Sequence, residues 1–417
     1  MIIKEKHIRI FVIIIIISIV LSGATILSYV RVPRVWLVGI IGGFFLLTGG
    51  NNGFKYSIIS KLFLLWILFL FINYKFSYTP LNTRRGLIIF ISLYFMMSIR
   101  FKENELLFML KVMRVICVIY AFSILLAAIF TGPFYSLFHN LIAQSMDFVY
   151  QEISTGAYSG IVGERALAAY FMNVGVLIEL SDYFISKRLD KNNFFNVFLY
   201  TVAIMMTGKR MLFAIEIVFI IAVIIFSDVK GKWIKLIGGA CIILPVFIVL
   251  VNLIPQTQVL LQRMSQYSGD DMLNGRQYFW DYCLLMFSRK PIIGYGFDSF
   301  NTAFADEIHY VYKGRVWDMY AHNIYYELLG EVGIVGIIIF ICLLGCGLYM
   351  TIRLMKNEKI TNTQKKLLFC AMGFQLMFII YGFTGNCLYE NEQLMLCFVG
   401  MLIATLVSRD LKINKRG

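Results

Sequence analysis

Four short stretches of this chain hold residue types and spacings that could do chemistry. They are Gly163-Glu164-Arg165, Thr207-Gly208-Lys209-Arg210, Gly275-Arg276-Gln277-Tyr278-Phe279-Trp280, and His322-Asn323 followed after nine residues by Gly333-Ile334-Val335-Gly336. Arginine presents a planar fork of donors matched to phosphate oxygens and stays charged at any pH a cell reaches. Histidine, with an unperturbed pKa of about 6.5, is the side chain best suited to take a proton near neutrality. Three arginines and a histidine in one place would form an anion clamp beside a base, the chemistry of a phosphate- or pyrophosphate-bearing substrate. Each stretch also has a plain structural reading. Glu164 and Arg165 would seat a helix end as an interfacial ion pair, and Lys209 and Arg210 would anchor a tight turn that Gly208 permits. Arg276 and Trp280, four apart on one helical face, would stack on each other. His322, with Tyr325, Tyr326, Glu327 and Glu331 on the turns that follow, would be an interfacial histidine.

The elements that must bring these stretches together are membrane spans. Of 417 residues, 59% are hydrophobic and 15% charged, and the mean hydropathy is +0.77. Soluble globular proteins carry about 25% charged and roughly 45–50% apolar residues, so a soluble enzyme, a secreted disulfide scaffold and a disordered chain are excluded. The chain reads as an all-α polytopic membrane protein with about twelve spans. They fall at about 9–30, 35–50, 57–74, 86–99, 109–131, 161–181, 194–208, 211–227, 234–254, 323–350, 367–384 and 388–408. The first resembles a signal peptide, but its apolar stretch is long for one, and a retained helix is expected.

The net charge of +14 does not point to nucleic acid, because the basic residues sit in short loops. An even span count puts both termini on one side, and that side takes 24 of the 38 Lys and Arg residues, so both termini are expected in the cytoplasm. All four chemical stretches then face outward. The exception to short connections is the segment 256–321, whose near-balanced charges suit a folded outer subdomain. The expected division is spans 1–9 in 1–255, the outer subdomain in 256–321, and spans 10–12 with a cytoplasmic tail in 322–417. Within the outer segment, residues 271–288 read as a helix lying at the membrane surface, with Tyr278, Phe279, Trp280, Leu284, Leu285 and Phe287 on its apolar side, ended by Pro291, Gly294 and Gly296. Of eight cysteines only Cys283 and Cys387 fall outside, where a bridge between them would be allowed; no disulfide framework and no metal-ligand spacing are present in the sequence. No inverted repeat of the transporter kind is visible.

The motifs resemble those of the O-antigen polymerase and O-antigen ligase superfamily of bacterial membrane glycosyltransferases. His322-Asn323-x9-Gly333-x2-Gly336 is similar to that family's signature at the outer mouth of a late helix. Arg276-x3-Trp280 followed by Pro291-x2-Gly294-x-Gly296 resembles its outer-loop elements, and Lys209-Arg210 resembles its basic turn, with Thr207 and Gly208 departing mildly from the usual serine. Glu164-Arg165 resembles an acidic-basic pair found in many members. The resemblance covers about 155–345.

It implies a GT-C-like fold of helical spans with one large outer loop folded over the site. It implies cofactor-free and metal-independent transfer of a glycan from undecaprenyl pyrophosphate, on the outer face of the cytoplasmic membrane. A polymerase, joining lipid-linked repeat units into O-antigen or capsule, is the expectation taken forward. A ligase, passing the finished glycan to a terminal acceptor, is the alternative, and a lipid-linked oligosaccharide flippase the more distant one. The partners implied are lipid-linked donor and acceptor, membrane lipids, and flippase and chain-length regulator proteins, with no nucleic acid. In such a site Arg210 and Arg276 would neutralise the departing pyrophosphate. His322 would accept or orient the proton of the attacking hydroxyl, with Glu327 fixing its tautomer. Arg165, Glu164, Lys209, Trp280 and Tyr325 would contact substrate.

Overall fold

The computed structural model describes residues 5–20, 34–47, 57–142, 144–188, 190–226, 276–308, 311–312, 315–316 and 319–413. The expected span at 234–254, the stretch 256–275 and the far ends of the first two expected spans lie outside the described residues. Fifteen helices are described: α1 Glu5–Val20, α2 Arg34–Leu47, α3 Ile58–Lys75, α4 Pro80–Met97, α5 Glu103–Ile129, α6 Thr131–Phe138, α7 Met146–Ile153, α8 Arg165–Ser186, α9 Lys191–Thr207, α10 Arg210–Phe226, α11 Arg276–Arg289, α12 Phe300–Ile308, α13 Ile324–Met355, α14 Asn362–Tyr381 and α15 Asn391–Ile413. The only strands among the described residues form one short hairpin, Val311–Tyr312 with Arg315–Val316. Five of these helices, α3, α5, α8, α13 and α15, are long and apolar enough to cross a membrane, and α1 and α2 contain shorter apolar stretches. Apart from that hairpin, the regular structure among the described residues is helical, with helices suited to spanning a membrane; a count of twelve spans is not shown.

Helix α8 is the axis of the bundle. Every residue from Ala166 to Ser181 is buried, because α5, α9, α10 and α14 all pack on it. A helix enclosed on every side must be apolar all round, and this one is, with small residues where neighbours come closest. The acidic residues of α8, Glu179 and Asp182, lie together at one end of the bundle. Arg114 of α5 donates through Nε to Glu179 at 2.7 Å and through Nη2 to Asp182 at 3.0 Å and Asn193 at 3.2 Å. Asn196 donates to Glu179 at 2.8 Å, and Lys366 of α14 pairs with Asp182. Four helices are thus tied by charge-assisted bonds whose members are satisfied, the condition under which buried ions are tolerated.

At the other end α13 is broken. Gly333 has φ 61° and ψ −170°, a conformation closed to other residues. The gap is filled by backbone from the stretch after α11. Ile334 and Val335 donate their N–H groups to the carbonyls of Pro291 and Ile292, at 2.8 and 3.3 Å. Tyr295 and Gly296 donate in turn to the carbonyls of Gly330 and Glu331, at 3.1 and 2.7 Å. Asn73 of α3 completes the joint, donating to Ile293 O at 2.7 Å and accepting from Phe297 N at 2.8 Å. A side chain on Gly294 would meet the Glu331 carbonyl group at 2.3 Å, so the approach requires glycine. The Glu331 carboxylate then accepts from Asp298 N and Phe300 N, both at 2.8 Å, which caps α12, and from the Tyr389 hydroxyl at 2.8 Å.

Two expectations change. Helix α11 packs along α13, and its buried stripe is Phe279, Tyr282, Cys283 and Met286. Tyr278, Leu284 and Leu285, expected on the apolar side that meets the membrane surface, are exposed rather than part of that buried stripe. The reason is that the helix is clamped at both ends to α13 and its caps, which sets its rotation independently of its most apolar arc. Cys283 and Cys387 are both buried free thiols, not a bridge.

Gly333→Ala should cost at least about 1–3 kcal/mol from the backbone alone, and more because the new methyl would stand 2.5 Å from the Ile292 carbonyl oxygen. Thermal unfolding of the detergent-purified protein should show a clear drop for Gly333→Ala and none for Gly345→Ala, whose added methyl meets nothing within 4 Å.

Candidate active site

Six chain segments meet at the end of the bundle that carries the broken helix. They are α7, the start of α8, the turn between α9 and α10, the start of α11, the turn 320–323 before α13, and the loop 382–390 between α14 and α15. The local sequence explains each placement. Glu164 is the N-cap of α8, its carboxylate accepting from Ala166 N at 2.8 Å and from Leu167 N. Arg165, the first helical residue, turns instead to Glu152 of α7: Nε lies 2.9 Å from the carboxylate, in contact but without hydrogen-bond alignment. Gly208, at φ 68°, ends α9; Thr207 Oγ1 donates to Ile204 O at 2.6 Å and accepts from Lys209 N at 3.3 Å. Lys209 is half-buried in this turn and Arg210 exposed as the first residue of α10.

The 320–323 turn is the most heavily fixed. Trp280 Nε1 donates to Ala321 O at 3.0 Å, and the Glu327 carboxylate accepts from Ala321 N. Asn323 is the N-cap of α13, accepting from Tyr325 N at 3.1 Å and Tyr326 N at 3.3 Å. Ile324 N donates to Gly382 O at 2.9 Å, and the Tyr320 ring stacks on Tyr389 at 4.8 Å. Between these anchors His322 has φ 55°, left-handed backbone that histidine adopts only when its surroundings impose it. Arg276 reaches the same loop, with Nη1 3.4 Å from Thr384 O.

Charge interactions connect these groups across the recess. Burial, then the charges of Arg276, Lys209 and Arg165, push the His322 imidazole down to about 3. Burial lowers Lys209, with Glu164 opposing and Arg165 adding to the effect, and burial lowers Arg276, with Arg210 adding to it. Burial raises Glu152 to about 7, helped by Glu164 and opposed by Arg165 and Lys209. Both effects disfavour the charged imidazole: burial first, and then the neighbouring cations, beside which a proton on the ring would add one more positive charge.

Arg165, Lys209, Arg210, Arg276, Glu164 and His322 are thus brought together, from positions up to 158 residues apart. Trp280, Tyr325 and Glu327 have internal partners. The Trp280 ring stacks on Tyr326 at 5.2 Å and 6° rather than on Arg276, and the Tyr325 hydroxyl donates to Ile379 O at 2.7 Å. Glu327 fixes the backbone before the histidine, not its ring. Sequence reasoning missed Glu152 and Glu390. The signal for Glu152 was present: it lies in a stretch, 132–160, without Lys or Arg, so a carboxylate there must find its cation elsewhere in the fold.

Residues 195–341 match the family described as O-Antigen ligase. The chain is also 27% identical over 109 residues to a protein of Rickettsia felis (strain ATCC VR-1525 / URRWXCal2) described as "Putative polysaccharide ligase"; the match covers 25% of this chain and 26% of that protein, so about a quarter of the relative's length is spanned. Over about a third of its length, then, the chain is similar to the O-antigen ligase family. The matched stretch contains Lys209, Arg210, Arg276 and His322; Glu152, Glu164, Arg165 and Glu390 lie outside it.

In a variant retaining His322 as its sole histidine, side-chain nitrogen NMR should show a neutral ring from pH 8 down to pH 5. Arg276→Ala should move its protonation upward, because one of the charges holding it down is gone.

Proposed function

We propose that the chain is a membrane glycosyltransferase that joins undecaprenyl-pyrophosphate-linked oligosaccharide repeat units into a surface polysaccharide. The observation that carries this reading is the gathering of Arg165, Lys209, Arg276 and His322 around one recess at a single end of the bundle. A polyprenyl pyrophosphate linked to a sugar carries two negative charges at any physiological pH, since each phosphate keeps one strongly acidic oxygen. Cations that raise one another's energy in a partly desolvated recess are relieved when such a dianion arrives, so the site is pre-organised for it.

In the transfer, the acceptor hydroxyl attacks the anomeric carbon and the bond to the pyrophosphate oxygen breaks, its electrons leaving with the lipid-linked pyrophosphate. Arg276 and Arg210 stabilise that departing charge. Neutral His322 hydrogen-bonds the attacking hydroxyl and orients it. The recess faces outward on this reading, because Lys102, Lys187, Arg188, Lys191, Arg353, Lys356, Lys359, Lys365 and Lys366 lie at the helix ends opposite to it and mark the cytoplasmic side. Flippase and chain-length regulator proteins would act beside it.

A second reading, transfer of the finished glycan to a terminal acceptor, is favoured by the descriptions of both matches, which name ligases. The surface glycan of a deletion strain separates the two: single repeats on the final carrier mark a lost polymerase, long chains stranded on the polyprenyl carrier a lost ligase.

Arg276→Ala, Arg210→Ala and His322→Ala should each lower transfer in reconstituted vesicles, about 10²–10³-fold for a well-placed charge donor, with protein levels unchanged. In cells the same variants should still export single repeat units. Stranding of those units in the cytoplasmic leaflet would identify a flippase instead, and unaltered chain length and attachment would remove the enzyme reading.

A further inference from the structure

The recess has a carboxylate that the transfer described above does not use. Glu390 immediately precedes α15. Its neighbour Tyr389 stacks on Tyr320 and donates its hydroxyl to Glu331, the residue that also caps α12. Tyr320 is two residues before His322. The stacked pair therefore sets the backbone of Glu390 beside the turn that carries the histidine, and the bond from Ile324 N to Gly382 O ties the other end of the same loop to that turn. Arg276 donates into this loop at Thr384 O. The Glu390 side chain is solvent-accessible, yet it interacts with Lys209 and Glu164 across the recess and feels strong desolvation from the surrounding protein.

We infer that Glu390 is the catalytic base of this site, its carboxylate taking the proton of the acceptor hydroxyl as the oxygen attacks the anomeric carbon; this rests on the glycosyl-transfer reading above. The step balances without a further reactant. The hydroxyl O–H bond breaks to Glu390, the new glycosidic C–O bond forms, and the old anomeric C–O bond breaks with its electron pair leaving on pyrophosphate. The carboxylic acid then returns its proton to water, to which it is open.

The electrostatics agree with this division of labour. His322 is neutral and able to accept a hydrogen bond, but a ring held at about 3 binds a proton weakly. Burial raises Glu390 to about 8, with Glu392 of its own element and Glu164 of the α8 cap adding to it and Lys209 of the α9–α10 turn opposing. Tyr320 and Tyr381 also lie within its field. A general base works best when its proton affinity is close to the operating pH. A carboxylate enclosed beside other carboxylates meets that condition, and a histidine enclosed among arginines and a lysine does not.

The test uses the full chain purified into vesicles with a polyprenyl-pyrophosphate oligosaccharide as donor and acceptor. Glu390→Gln should lower kcat about 10²–10⁴-fold with donor KM within threefold and thermal unfolding unchanged. In the wild type kcat/KM should rise with pH toward about 8, where the base becomes deprotonated; that limb should vanish in Glu390→Gln and shift in Glu390→Asp, which should keep part of the rate. A Glu390→Gln variant within threefold of wild-type kcat, or with the same pH limb, overturns the inference. Arg276→Ala run alongside separates the two levels: if it loses transfer while Glu390→Gln does not, only the base assignment falls. If neither loses transfer, the glycosyl-transfer reading falls with it.

Discussion

The joint at Gly333 is the constraint on which the rest of the site depends. A helix interrupted a few turns from its start exposes backbone donors and acceptors that no lipid could satisfy. In this chain the stretch from Pro291 to Phe297 satisfies them, with four backbone hydrogen bonds and the amide of Asn73. That single docking event fixes where α11 ends, and so where Arg276 at its other end begins. Through the Glu331 side chain it also fixes α12 and Tyr389. The segment from Pro291 onward is therefore seated in the helical bundle by main-chain geometry, independent of most side chains on its surface.

A second principle governs the charges. At one end of the bundle the ions neutralise each other closely, as Arg114 does with Glu179 and Asp182. At the other end the charges are mixed and partly buried: burial and neighbouring cations hold down Lys209 and Arg276, while Glu164 and Glu152 oppose the shift at Lys209. The first arrangement is what stability alone selects. The second is costlier to fold, and that cost, rather than any single arginine, distinguishes this end.

Much of this was legible beforehand. The apolar runs located helices α1–α5, α8–α10 and α13–α15 because a bilayer leaves no alternative way to satisfy the backbone, and Pro291, Gly294 and Gly296 marked the turn after α11, though not the break at Gly333 that it fills. The exact faces were harder. The rotation of α11 is set by Trp280 on Ala321 and by Pro291 at the helix break, contacts forty residues apart that hydropathy does not encode. Trp280, Tyr325 and Glu327 stood near the histidine in sequence, yet their hydrogen bonds go to the backbone of the turn and to α14. Glu390 was hidden for the opposite reason: it belongs to the recess through a tyrosine stack between segments about seventy residues apart, and nothing in its own neighbourhood announces that.

The charged network of Arg114, Glu179, Asp182, Asn193 and Lys366 has one more consequence. It rivets α5, α8, α9 and α14 together far from the recess. Near the recess the same helices are linked by loops, caps and aromatic contacts, which yield more readily than paired ions. Such a bundle is stiffest where its ions pair, and what motion it has is concentrated at the opposite rim.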